Sequence, residues 1–280
     1  MPSKKEILER ELADKLRLED KMKPDIRRIF RRVVDDFRVS VARSGSAPDA
    51  GRYIVSLQSI LEDQYRRVQK VFKGAVHRQN YGETKQAEDD ENEELIAAIF
   101  LLWMEQHAPT QADIIAGTTA RDMQDAISQA RDELVNSGKR VDNRSLAAVA
   151  VAILKRILRP RVDLIAVIET QTAAETAKVI EAGASAGVTI PGIPMPSNVV
   201  PIRPAGAVAL KKSWLDLRDA RVRATHLQAG RTYQAAPIPV NEAFIVGGAR
   251  LMFPGDTSLG APIREIAHCR CSARYQIVRG

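Results

Sequence analysis

Aromatic side chains are scarce: Phe, Trp and Tyr make up 5% of the chain. A core built from this sequence must come mostly from Ala, Val, Ile and Leu, a palette that suits helices packed through small residues. Cysteine is scarcer still, with two in 280 residues, which excludes a disulfide scaffold. Long apolar runs are missing. Runs such as Leu146 to Leu154 are far short of the roughly 20 residues that span a bilayer, so no membrane partner is expected. The opening Met1-Pro2-Ser3-Lys4-Lys5-Glu6 runs straight into charged sequence, so no signal peptide is expected and synthesis in the cytoplasm is. Several enzyme signatures are absent as well: the phosphate loop G-x-x-x-x-G-K-[ST], the dinucleotide fingerprint G-x-G-x-x-G and the zinc-peptidase H-E-x-x-H.

What the chain does have is positive charge, a formal +7 with a sequence pI near 9.5. That balance favours polyanionic partners, nucleic acid or an acidic protein surface. The charge is unevenly placed. Residues 21–80 hold fourteen Lys and Arg against six Asp and Glu. Within them Ile54, Leu57, Ile60, Leu61, Tyr65, Val68, Val71 and Phe72 form one helical stripe over about residues 50–78, capped by Asp49. Arg66, Arg67, Lys70 and Lys73 decorate its other face, either as a solvated surface or as a contact for double-stranded DNA or an acidic partner. Residues 83–94 reverse the sign and read as an exposed acidic loop leading into a helix start.

Helical periodicity runs through most of the first 186 residues. Pro24 is expected to kink it or start a new turn, Pro109 to stop one helix, and Pro160 to close another that begins at an Asn143 cap. Residues 161–182 read as a further helix ended by Gly183 and Gly187. Pro191, Pro194, Pro196, Pro201 and Pro204 then favour an extended connector over 187–208. From 209 onward strands and turns are expected, with a hairpin around Gly247-Gly248 and one or two strands between Glu265 and Val278. The predicted class is α+β: a mainly helical N-terminal region (1–145), helices leading into a last domain (146–186), the proline-rich connector, and a small mixed α/β or β-rich C-terminal segment (209–280).

That last segment carries the chemistry-bearing residues. Asp219, Arg221, Arg223 and His226 form a polar cluster. On a helix Asp219 and Arg223 would pair at i,i+4; on a strand Arg221 and Arg223 would share a face and could grip phosphate. The bland reading is an ion-pair network that fixes a turn. Cys269 and Cys271, two apart, would point to the same side of a strand, with His268 on the other. They are read either as buried unligated thiols or as two ligands of a structural zinc, with His226 third and Asp219 or Asp256 fourth. A Cys269–His226 nucleophile pair is the weakest reading of the same residues.

Taken together, Trp214, Asp219-Ala-Arg221-Val-Arg223-Ala-Thr-His226, Gly230, Phe244, Pro254-Gly255-Asp256 and Cys269-Arg270-Cys271 stand in an order and spacing that closely resemble the C-terminal signature of phage Mu protein F-like head morphogenesis proteins. Ile165-Ala166-Val167-Ile168-Glu169-Thr170 resembles the family's I-A-x-T-E helix end, with Ile168 where Thr is usual; His268 stands where Asn is frequent. The resemblance covers about residues 150–280. It implies a minor head protein of a tailed bacteriophage rather than an enzyme: made in the host cytoplasm, residing in the virion at or near the portal vertex, and assisting head assembly and the handling of packaged DNA. The implied partners are the portal protein and also the major capsid or scaffold protein, with double-stranded DNA as a further contact. The domain type also resembles ADP-ribosyltransferases, which use a catalytic glutamate, often in E-x-E. From 202 to 280 the only glutamates are Glu242 and Glu265, and neither forms that pair. A DNA-binding module and a transferase-like toxin are therefore the alternatives to the head-protein reading.

Overall fold

The computed structural model describes residues 3–81, 90–196 and 208–279. In chain order the elements are α1 (Lys4–Ser44), a 3-10 turn (Ala50–Tyr53), α2 (Ile54–Phe72), α3 (Ala75–Tyr81), α4 (Asp90–Asn136), α5 (Asn143–Ala186), β1 (Val208–Leu215), α6 (Ala224–Ala235), β2 (Ile238–Pro239), β3 (Phe244–Val246), β4 (Ala249–Leu251), α7 (Ile263–Ile266) and β5 (Ser272–Arg279). The chain is mainly helical with a small C-terminal sheet region, the α+β class expected. No described helix is long and apolar enough to cross a membrane.

The three prolines expected to interrupt helices sit inside them: Pro24 in α1, Pro109 in α4 and Pro160 in α5. A proline inside a helix removes one backbone hydrogen bond and costs about 3 kcal/mol. The buried stripe continues in phase across each one. Leu18, Met22, Ile26 and Ile29 flank Pro24; Trp103, Met104, Ala108, Ala112 and Ile115 flank Pro109; Ile153, Leu154, Leu158 and Val162 flank Pro160. Each large side chain so buried contributes about 1.5–3 kcal/mol, which outweighs the lost bond. Two smaller corrections concern helix ends. Asp142, not Asn143, caps α5, its carboxylate accepting from the Ser145 N–H at 2.8 Å. Gly183 lies within α5, where a Cβ would come 2.8 Å from Ile190, and the helix ends at Gly187 with φ +63°. The cap expected at Asp49 is present, its side chain accepting from the Gly51 N–H.

Two compact units share the long helices. One comprises Met1–Leu18, Tyr65–Glu105 and Val167–Gly280; the other comprises Glu19–Gln64 and Gln106–Ala166. The boundaries expected at 145, 186 and 208 cut the chain in sequence order, whereas these units interleave because α1, α2, α4 and α5 each contribute to both. The second unit is helical throughout. Within it Arg161 of α5 lies 5.5 Å over the Phe30 ring of α1 and is ion-paired with Asp122 of α4. Tyr53 donates to Asp36 at 2.7 Å.

In the first unit the sheet order is β2-β1-β5, all antiparallel, with Lys212 opposite Tyr275 and Trp214 opposite Ala273. Val179, Ala182 and Ala186 of α5 pack against Leu210 of β1, Ala273 and Tyr275 of β5, and Val76 of α3. β3 and β4 form the expected hairpin, with Gly247 (φ +58°) and Gly248 (φ +81°) supplying the turn. The last segment, read along its length as strands and turns, also contains α6 and α7, which makes it the mixed α/β form of the expectation. Of the expected connector, 187–196 carries neither helix nor strand, and 197–207 lies outside the described residues, as does most of the acidic stretch expected from 83.

Candidate metal centre

Three donors from two segments meet at the first turn of α6. His226 is the third residue of that helix; Cys269 and Cys271 lie on the segment between α7 and β5. This segment is a turn at Ala267-His268 followed by three residues that precede the strand. His268 adopts a left-handed φ of +51° within it and is exposed, while both cysteines are buried. The expected same-side placement of the thiols is present, both sulfurs facing His226, although the segment is not a regular strand. His226 Nδ1 lies 3.5 Å from each sulfur. The three ligand atoms all lie within 4.8 Å of one another, and the residues are 1%, 6% and 1% exposed. This buried triad could hold a metal ion.

The surroundings fix the imidazole. Trp214 of β1 stands edge-on to it, centroids 5.3 Å apart at 88°, and Phe244 meets the same indole at 5.3 Å and 86°. The opposite ring nitrogen, Nε2, faces Glu265 Oε2 at 3.3 Å. The two thiols are driven apart electrostatically. A hydrogen bond from Cys271 holds Cys269 well below the ordinary thiol range, against the cost of burial and with His226 assisting; the same bond, with burial, pushes Cys271 well above it. Enclosure suits a structural centre better than a nucleophile that must meet a substrate.

The other signature residues have physical roles around this triad. Gly230 leaves room for Asp216, because a Cβ there would fall 1.8 Å from Asp216 Oδ2. Asp219 does not pair with Arg223 as expected for a helix. Its Oδ2 accepts from Arg270 at 2.9 Å and its Oδ1 from the Arg221 N–H at 3.0 Å, closing the turn before α6. Arg223 donates to the Ala267 carbonyl, while Arg221 is exposed, so the two do not form a phosphate fork. Pro254, Gly255 and Asp256 build a buried loop. Gln171 of α5 donates to the Pro254 carbonyl at 2.9 Å, Gly255 (φ +85°) packs on the same glutamine, and Asp256 accepts from Met252 N at 2.7 Å and Ser258 N at 2.8 Å. Neither Asp219 nor Asp256, the expected fourth ligands, joins the triad, and no fourth His, Cys, Asp or Glu does among the described residues. Lys212, buried in β1, donates to the Met252 carbonyl at 2.7 Å, and burial pushes its pKa down to about 8.

Elsewhere, Arg66 and Lys70 are exposed and Arg67 is half-buried, while Lys73 is spent on Glu93 at 2.6 Å. The basic face of α2 is therefore a surface rather than part of the centre. Sequence reasoning missed Glu265, Thr225 and Asp216, which no local motif marks. It also passed over Gly183-Ala184-Ser185-Ala186-Gly187, a G-x-S-x-G string. That string lies at the C-terminal end of α5, so the strand-to-helix elbow that would expose a nucleophilic serine is absent there. Comparison with protein-family models, with curated proteins and with solved structures found no match.

Proposed function

We propose that this chain is a minor head protein of a tailed bacteriophage, acting at or near the portal vertex in head assembly and DNA handling, with no catalytic residue of its own. The reading rests on the resemblance of its C-terminal motifs to the Mu protein F-like pattern. The observation that supports it most is convergence: Trp214, His226, Phe244, Cys269 and Cys271 share one buried cluster, and Gly230, Asp219, Arg270 and the Pro254–Asp256 loop brace it. Blocks scattered along the sequence thus form one spatial unit. The test is co-expression with the portal protein of the same genome and sedimentation of the product at low and high salt. Co-migration with the portal ring is the expected result. No association, combined with tight and salt-dependent DNA binding by the chain alone, would replace this reading with a nucleic-acid module.

A structural zinc at the triad is the second part of the proposal. Zinc bonds of about 2.3 Å to sulfur and 2.0–2.1 Å to nitrogen in a tetrahedron place S and N about 3.6 Å apart. The 3.5 Å separations here fit that edge. His226, Cys269 and Cys271 would hold the ion, which would cross-link α6 to the lead-in of β5. Metal analysis of the purified chain should find about one zinc, lost in the C269S/C271S variant.

A further inference from the structure

We infer that Glu265 is a positioning residue for this centre: it holds His226 as the Nε2–H tautomer, so that Nδ1 is the atom offered, with Cys269 and Cys271, to a soft divalent metal ion. The inference rests on the zinc reading above and adds which nitrogen ligates and which residue selects it.

The geometry sets the two ring nitrogens against different chemistry. Nδ1 faces both sulfurs at 3.5 Å, whereas Nε2 lies 3.3 Å from the Glu265 carboxylate, a close electrostatic contact without hydrogen-bond alignment. A carboxylate this close favours the proton on the ring nitrogen that faces it, which leaves the lone pair on the other. That lone pair points at the thiols. Rotating the ring to exchange the nitrogens is opposed by the edge-on Trp214 indole. The carboxylate is itself held in place. Its Oε2 accepts from the Thr225 hydroxyl at 2.9 Å, and its Oε1 lies 3.6 Å from Arg264 Nε. Gly247 makes space for it, since a Cβ there would come 2.6 Å from Oε1. Glu265 is 5% exposed, so this is a built contact rather than a surface encounter. A carboxylate behind a metal-bound histidine fixes its orientation, and removing such a partner typically weakens metal binding by about 10–100-fold.

The experiment uses the full chain labelled with 15N-histidine and loaded with zinc. Long-range 1H–15N correlation should show His226 protonated at Nε2 and metal-bound at Nδ1. E265A should bind zinc about 10–100-fold more weakly at unchanged one-ion stoichiometry. E265Q, whose side-chain carbonyl still accepts a hydrogen bond, should recover most of the affinity. Ligation through Nε2, or an E265A variant that binds zinc as tightly as the parent, would overturn the inference while leaving the zinc site standing. A parent chain that takes up no zinc would overturn both. Should E265A fail to fold, the parent's tautomer and the E265Q affinity decide the matter.

Discussion

Over residues 143–166, α5 buries one stripe, including Leu146, Ala150, Ile153, Leu154, Leu158 and Val162, and exposes Arg144, Lys155, Arg156 and Arg159. Over residues 169–183 the same helix is buried at every position. The second stretch is not apolar: it contains Glu169, Gln171, Glu175, Lys178 and Glu181. Each is engaged. Tyr65 donates to Glu169 at 2.5 Å, and Lys178 Nζ contacts Glu11 at 3.0 Å, Glu175 at 3.1 Å and the Ala273 carbonyl at 3.0 Å. Glu175 also pairs with Lys15 at 2.8 Å, and Glu181 accepts the Val76 and His77 N–H groups at the start of α3. Burial alone would raise Glu175 and lower Lys178. Instead Lys15 and Lys178 hold Glu175 below its ordinary value, and Glu11 and Glu175 hold Lys178 above its own. The difference teaches that a helix surrounded on all sides can use charge in its core, provided every charge is met.

The two stretches should therefore break differently. The largest effect is expected from Lys178→Met, which leaves Glu11 without its cation and Glu175 with Lys15 alone in a buried site, and should cost about 3–5 kcal/mol in denaturant unfolding. Adding Glu11→Leu to it should recover part of that loss, because it removes the unpaired carboxylate while Glu175 keeps Lys15 at 2.8 Å. If Lys178→Met cost under about 1 kcal/mol, the network would not be the continuous one described. Next comes Leu154→Ala in the amphipathic stretch, expected to cost about 2–5 kcal/mol through lost burial and a cavity. That variant has no charge to strand, so its loss should not change with the ionisation of the network.

The amphipathic stretch was legible in the sequence because a 3.6-residue period in Leu and Ile reports directly on one buried face. The hairpin was legible for a similar reason: two glycines in the left-handed region between short apolar runs leave few alternatives. The surrounded stretch was not, since Glu175 and Lys178 look like ordinary surface charges until Glu11 and Ser272, far away in sequence, are brought beside them. The triad was half legible. His226, Cys269 and Cys271 could be proposed from their types, but Glu265, 39 positions from His226 in the numbering, has no spacing that would announce it. The prolines misled because their cost of about 3 kcal/mol is local, while the stripe that outweighs it is collective.

A smaller effect separates the sheet from the helical core. With Lys212 pushed down to about 8 from an ordinary 10.5, the unfolded chain holds that proton more tightly than the folded one between those values. Stability should then rise with pH across this window, by at most about 1.4 kcal/mol per pH unit, as the penalty of a buried ammonium is relieved. Lys178, raised above 10.5, acts oppositely and only beyond that window. Comparing the parent with Lys212→Met between pH 7 and 10 isolates the term. The variant's stability should be flatter, and a parallel pair of curves would show that Lys212 is charged in both states.

The smallest effect is expected at the exposed face of α2, and it bears on function. Arg66 and Lys70 are exposed, so Arg66→Ala with Lys70→Ala should change unfolding free energy by no more than about 0.5 kcal/mol each. Lys73 is expected to add little, because its partner Glu93 is paired at a surface where ion pairs contribute about 0–1 kcal/mol. A fold indifferent to these side chains makes them a clean probe of partners. If the double variant keeps its stability yet loses salt-dependent association with the portal ring or with DNA, the face is an interface. If association survives unchanged in low salt, this charge merely keeps the surface solvated, and the contact must be sought elsewhere.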